Sequence, residues 1–188
     1  MGLQIIREEL NGLVLLQPKV FSDERGFFME TYKSDDFSKL GLPIEFAQDN
    51  HSRSKYGVLR GMHFQFNPPQ GKLIRVTLGK AFVAEVDIRH NSPTLGKWIG
   101  FELSEENKQI LWVPPGFANG FVALSEWVEM QYKCTALWNG AGESNILWND
   151  PEIGIDWHIE NPILSEKDRT AQTLKEWLKK EESKRFSL

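Results

Sequence analysis

The sequence has only one cysteine, Cys134, so no intramolecular disulfide can staple the chain. No apolar run approaches the roughly 20 residues that a membrane-spanning helix needs. The segment MGLQIIREEL also lacks the basic stretch and long apolar run of a secretory leader. These absences predict a reducing, cytoplasmic setting and no membrane partner. The formal charge of −4 leaves no excess of Lys and Arg for a broad nucleic-acid footprint, so no polymeric nucleic acid is expected as a partner. Histidine is scarce as well. His51, His90 and His158 stand at no ligand spacing to one another or to His63.

At 188 residues, 40% hydrophobic and 26% charged, the composition is that of a globular chain able to bury a sizeable core. One domain over 1–188 is expected, with 163–188 as a helical C-terminal tail whose Lys and Glu point to a solvated face. NGLVLLQPKVF and GFFMETYK read as early strands joined by the turn SDERG. SDDFSKLG reads as a short helix with Ser34 as N-cap and Gly41 as its stop. Residues 57–138 are almost wholly short β-prone runs broken by Gly, Pro, Asn and Ser. In KAFVAEVDIR, Phe82, Ala84, Val86 and Ile88 alternate with Val83, Glu85, Asp87 and Arg89, predicting a strand with unequal faces. In SEKDRTAQTLKEWLKK, Ser165 is a second N-cap candidate with Asp168 three residues on. Leu174, Trp177 and Leu178 there predict one amphipathic helix or two short ones. Many short strands with a helical end predict a mainly β sandwich, jelly roll or barrel.

The stretch GVLRGMHFQFNPPQGKLIRV concentrates the chemistry. His63 admits three roles: metal ligand, proton-transfer base or packed side chain. A metal-binding barrel often supplies His-x-His from one strand, because alternate residues share a face; here the second position is Gln65. No metal is therefore expected, and a base paired with a distant carboxylate suits the imidazole better. Arg60, Lys72 and Arg75 add positive charge for an anionic ligand. Arg25 and Glu30 flank a glycine turn, and Gln48, Asp49 and Asn50 form a polar group able to meet a nucleobase edge. Asn119 and Phe121 follow the rigid turn of PPGFANGF, and Tyr132 is a candidate acid.

Taken together, FSDERGFFMETY, FAQDNHSRS, GVLRGMHFQ, PQGKLIRV, VDIRHNSPTLGKW, ELSEENKQILWVPPGFANGF, YKC, ILWNDPEIGIDW and ILSEKD resemble the dTDP-4-dehydrorhamnose 3,5-epimerase family. The resemblance covers about residues 12–170. It implies a cupin-type jelly roll with short helices, a homodimer sharing an N-terminal strand, and inversion of a dTDP-linked 4-keto-6-deoxyhexose without metal or organic cofactor. It implies His63 as base, Asp168 as its orienting carboxylate, Tyr132 as opposing acid and Lys72 as enolate stabiliser. It implies Arg25 and Arg60 at the diphosphate, and Glu30, Gln48, Asp49 and Asn50 at the thymidine. Glu143 and Lys167 complete the pocket it implies. The chain departs from the family at FANGF, where Asn119 replaces a histidine, and at ALWNG, where Trp138 stands near the usual paired tyrosines. Those changes leave open a single-position epimerase of a related dTDP or GDP sugar, or a non-catalytic sugar-nucleotide binder.

Overall fold

The computed structural model describes residues 2–187. Strands β1 (Leu3–Glu9), β2 (Leu13–Pro18), β10 (Ile110–Val113), β7 (Lys72–Leu78), β12 (Trp127–Cys134) and β5 (Gln48–Lys55) form a six-stranded sheet in that spatial order. Opposite it lie β13 (Glu143–Asn145), β6 (Leu59–Gln65), β11 (Phe117–Ala123), β8 (Lys80–Asp87) and β9 (Trp98–Ser104), a five-stranded sheet. All pairings between these strands are antiparallel, and the order crosses repeatedly between the sheets, giving a cupin-type jelly roll. Strands β3 (Val20–Asp23) and β4 (Gly26–Met29) form a separate ribbon that pairs with neither sheet.

Three apolar clusters build the layers. The inner one lies between the sheets and includes Leu13, Ile74, Val83, Leu111, Phe121 and Met130. A second covers the outer face of the five-stranded sheet, where Met62, Phe64, Phe82 and Val86 meet Trp157, Leu174, Trp177 and Phe186. The third covers the outer face of the six-stranded sheet, with Val14, Leu16, Leu73 and Trp112 under Phe37 of α1 (Ser34–Lys39).

Two expectations change at this level. The N-cap of α1 is Lys33, extended and without a side-chain cap, and Ser34 is the first helical residue; Gly41, at φ +70, does follow the end of the helix. Strand β8 is buried on both faces, because Phe82, Ala84 and Val86 enter the outer cluster while Ala81 and Val83 enter the inner one. Its polar residues are therefore interior, and Glu85 and Asp87 are wholly buried. Asp87 is held by Arg89 at 2.8 Å, and Arg89 also donates to the carbonyls of Leu10 and Asn11, tying down the β1–β2 turn. Residues 163–187 take the form of two short helices, one of the two forms expected for them, packed beside the barrel. They contain α2 (Glu166–Arg169), α3 (Leu174–Trp177) and a 3-10 turn at 181–185, and Leu174, Trp177 and Phe186 seal the second cluster.

Candidate active site

Strand alternation sends His63, Asn119 and Glu85 into the space between the sheets as one transverse row, His63 opposite Asn119 and Asn119 opposite Glu85. From the facing sheet, alternation sends in Lys72 of β7, Tyr132 of β12, and Gln48 and Asn50 of β5. Arg60 joins them through an irregularity. Asn119 pairs with His63 but Phe121 pairs with Arg60, so β6 uses one more residue than β11 over the same span. In a regular strand, residues 60 and 63 would face opposite sides; the extra residue turns both inward. Glycine makes this possible. Gly61 has φ +145, and a Cβ there would lie 2.5 Å from the Cα of Gly120.

His63 Nε2 meets Asp168 Oδ1 at 2.5 Å. Asp168 is supplied by α2 and is 2% exposed. Ser165 caps that helix by accepting from the Asp168 amide, and its hydroxyl donates to Asp168 Oδ2 at 2.8 Å. Burial alone would raise the Asp168 carboxyl, but the hydrogen bond and charge of His63 and the Ser165 hydroxyl outweigh it and hold it below the usual carboxylate range.

The opposing groups are tuned by the same enclosure. Burial pushes the Tyr132 phenol up, so it keeps its proton, while nearby Arg60 pulls the other way. Burial lowers the Lys72 ammonium, resisted by Cys134, Glu85 and Glu143. Lys72 Nζ lies 6.0 Å from the Tyr132 ring centroid. Glu143, on β13, bonds Lys167 at 2.8 Å and sits close enough to His63, Lys72 and Tyr132 for its charge to act on each. Burial tends to raise the Glu143 carboxyl, yet the Lys167 hydrogen bond and charge bring it below its ordinary value.

The rim is polar. Arg60 bridges the sheets by donating to Ser54 Oγ and to the Arg53 carbonyl. Gln48 Oε1 accepts from the Trp138 amide at 2.8 Å, and the exposed Trp138 ring reaches Glu143 at 3.5 Å. Gln65, standing where a metal barrel would carry its second histidine, is buried and anchors the same loop through the Leu137 carbonyl and the Asn139 amide.

Of the expected site residues, the fold brings His63, Lys72, Asp168, Tyr132, Gln48, Asn50, Asn119 and Glu143 to one end of the barrel, with Arg60, Lys167 and Trp138 exposed at its rim. Asp49 is a correction: alternation turns it to the outer face, where it pairs with Lys133 at 3.0 Å. Phe121 faces the same interior as Asn119, one strand period on, and is buried in the inner core. Arg25 and Glu30 are not gathered here; Arg25 bonds Asp23 on the separate ribbon and Glu30 pairs with Lys33. Glu85 was missed as a site residue. Its signal was a lone carboxylate in the apolar run FVAEV, a placement that only an interior partner makes tolerable.

A row of polar groups on one sheet, answered by a lysine and a tyrosine on the other, is a site for proton transfer on an enclosed anionic ligand. The sequence profile described as dTDP-4-dehydrorhamnose 3,5-epimerase matches residues 7–176. The chain belongs to the dTDP-4-dehydrorhamnose 3,5-epimerase family. It is 54% identical to a dTDP-4-dehydrorhamnose 3,5-epimerase of Pseudomonas aeruginosa over 159 residues, 84% of this chain and 88% of that one. The crystal structure of a dTDP-6-deoxy-D-glucose-3,5-epimerase from Legionella pneumophila, in complex with dTDP-4-keto-L-rhamnose, superposes with a TM-score of 0.89 at 44% identity, covering 92% of this chain and 93% of that one. A dTDP-4-dehydrorhamnose 3-epimerase of Streptomyces niveus is similar at 35% identity, over 89% of this chain and 82% of that one. The matched residues 7–176 span every element that feeds the site, from β5 to α2.

Proposed function

We propose that this protein converts dTDP-4-dehydro-6-deoxy-D-glucose to dTDP-4-dehydro-L-rhamnose by inverting C3 and C5. The 4-keto group acidifies the hydrogens on both carbons, because the electron pair left on deprotonation delocalises onto the carbonyl oxygen as an enolate. His63 takes the proton, and Asp168 holds the ring and stabilises the imidazolium that forms. Lys72 lies on the facing sheet as a positive charge for the enolate oxygen. Tyr132 then delivers a proton to the carbon from the opposite face, which inverts it, and solvent restores both groups. The carbonyl of the substrate is itself the electron sink, so the scheme assigns no step to a cofactor.

The observation that carries this reading is the 2.5 Å pair of His63, on β6, with the buried Asp168 of α2, facing Tyr132 on the other sheet. Arg60 and Lys167 supply charge for the diphosphate, and Gln48, Asn50 and Trp138 form the nucleoside end. We also propose a single domain, a cytoplasmic setting and a homodimer. The ribbon exposes Phe21, Phe27 and Phe28 and holds Arg25 away from its own pocket. Packing on a second copy would cover those rings and offer Arg25 and Glu30 to the neighbouring site.

Incubation with dTDP-4-keto-6-deoxyglucose in deuterated water, followed by NMR of the sugar, tests the reaction. Deuterium at C3 and C5 is expected. Label at one carbon only would establish the single-position alternative, which the Asn119 substitution motivates, and no label would leave a binding protein.

A further inference from the structure

Asn119 and Glu85 are the two members of the transverse row that the proton-transfer scheme leaves without a task, and Glu85 is the more deeply placed. It is wholly buried, its Oε1 accepts from Asn119 Nδ2 at 2.5 Å, and its Oε2 has no partner among the described residues. A carboxyl kept in an apolar strand interior with an unpaired oxygen costs stability, so its presence calls for a compensating role. Its surroundings are the inner cluster, with Lys72 as the nearby charge from the facing sheet, and burial pushes its carboxyl well above the usual range.

The consequence falls on Asn119. An amide has a donating and an accepting end, and the bond to Glu85 commits the donating end to the interior. The accepting Oδ1 has no protein partner among the described residues. Asn119 stands directly across from His63, so that oxygen belongs to the end of the pocket where the sugar reacts. Phosphate and keto oxygens carry no hydrogen to give; a ring hydroxyl does.

We propose that Glu85 is a positioning residue that locks the Asn119 amide so that its Oδ1 accepts a hydrogen bond from a hydroxyl of the bound sugar. This inference rests on the sugar-nucleotide reading above and assigns the row its selectivity for a hydroxylated ring.

Calorimetric titration with dTDP and with non-reacting dTDP-glucose tests it, using the parent, Asn119→Ala, Glu85→Gln and the double variant. The Glu85→Gln change keeps the volume but offers Asn119 either end of an amide. Affinity for dTDP should stay within about twofold throughout. Affinity for dTDP-glucose should fall about tenfold in Asn119→Ala, the worth of one hydrogen bond, and about three- to tenfold in Glu85→Gln. The double variant should lose no more than Asn119→Ala, because Glu85 acts through Asn119. Should Glu85→Gln not fold, Glu85→Asp, which retracts the carboxyl from Asn119, should show the same selective loss. Unchanged dTDP-glucose binding in the Glu85 variants, multiplying losses in the double variant, or equal weakening of dTDP and dTDP-glucose would each overturn the proposal. A parent that binds dTDP-glucose no better than dTDP and shows no deuterium exchange would instead sink the sugar-nucleotide reading.

Discussion

His63 and Asp168 are 105 residues apart in sequence and 2.5 Å apart in space. Asp168 is buried on the inner side of α2 while His63 faces the pocket, so the carboxylate can reach the substrate only through the imidazole. Asp168→Asn should lower kcat by about 10²–10⁴-fold with a small change in KM, since an amide orients the ring but does not stabilise the imidazolium. His63→Ala should abolish deuterium exchange into the sugar. Steady-state kinetics and NMR exchange check both, and an exchange rate equal to the parent's in His63→Ala would remove His63 from the base position.

Tyr132 and His63 sit on opposite sheets, so the two proton transfers should separate by mutation. Tyr132→Phe should still exchange substrate hydrogen for deuterium, because His63 can return a deuteron to the face it came from. Product formation should fall at least about 10²-fold. NMR of the recovered sugar, scoring label and configuration together, distinguishes this from a simple loss of binding.

Acid should weaken the fold through the same carboxylates. Asp168 and Glu143 both have folded-state values below their ordinary ones, so the folded state binds their protons less readily than the unfolded chain does. Their stabilisation is present above the unfolded values near about 4 and is lost as pH falls through the folded values. Denaturant unfolding at pH 7, 5, 4 and 3 should show stability dropping across the last steps. Asp168→Asn should drop less over the same range.

Gly61 governs whether Arg60 and His63 share a face. Gly61→Ala would force a Cβ to within 2.5 Å of the Gly120 Cα at a backbone angle of φ +145, and should cost on the order of 2–4 kcal/mol. Chemical denaturation measures that loss. Activity should fall further than the unfolded fraction accounts for, because the bulge that aligns Arg60 with His63 relaxes.

The exposed ribbon gives the proposed homodimer its test. Phe28 is 66% exposed, and Phe28→Asp should shift sedimentation toward a monomer without altering thermal unfolding of the barrel measured at low concentration. A parent that sediments as a monomer would overturn the homodimer, and a Phe28→Asp variant that keeps a parental dimer would remove the ribbon from its interface.

Strand content was legible in the alternation and turn residues of 57–138, and the Ser165 cap in the spacing of SEKD. The motifs also carried the family and most of the pocket, because His63, Lys72, Tyr132 and Asp168 lie in stretches whose residue order is itself distinctive. Local pattern misjudged Ser34, since a cap must itself keep extended backbone angles, and here Lys33 does so while Ser34 is already helical. It also misjudged Asp49, where grouping three polar neighbours ignored that adjacent strand residues point to opposite faces.

What the sequence determined by itself was therefore the set of short strands, the chemistry available and the kinship. Which side chains meet was decided by the tertiary structure. Period-two alternation states which residues share a face but not which face is covered, and both faces of β8 turned out to be inside. A bulge at Gly61 reverses the parity of Arg60 against His63, and a bond such as Asn119 to Glu85 exists only because antiparallel register sets two strands side by side.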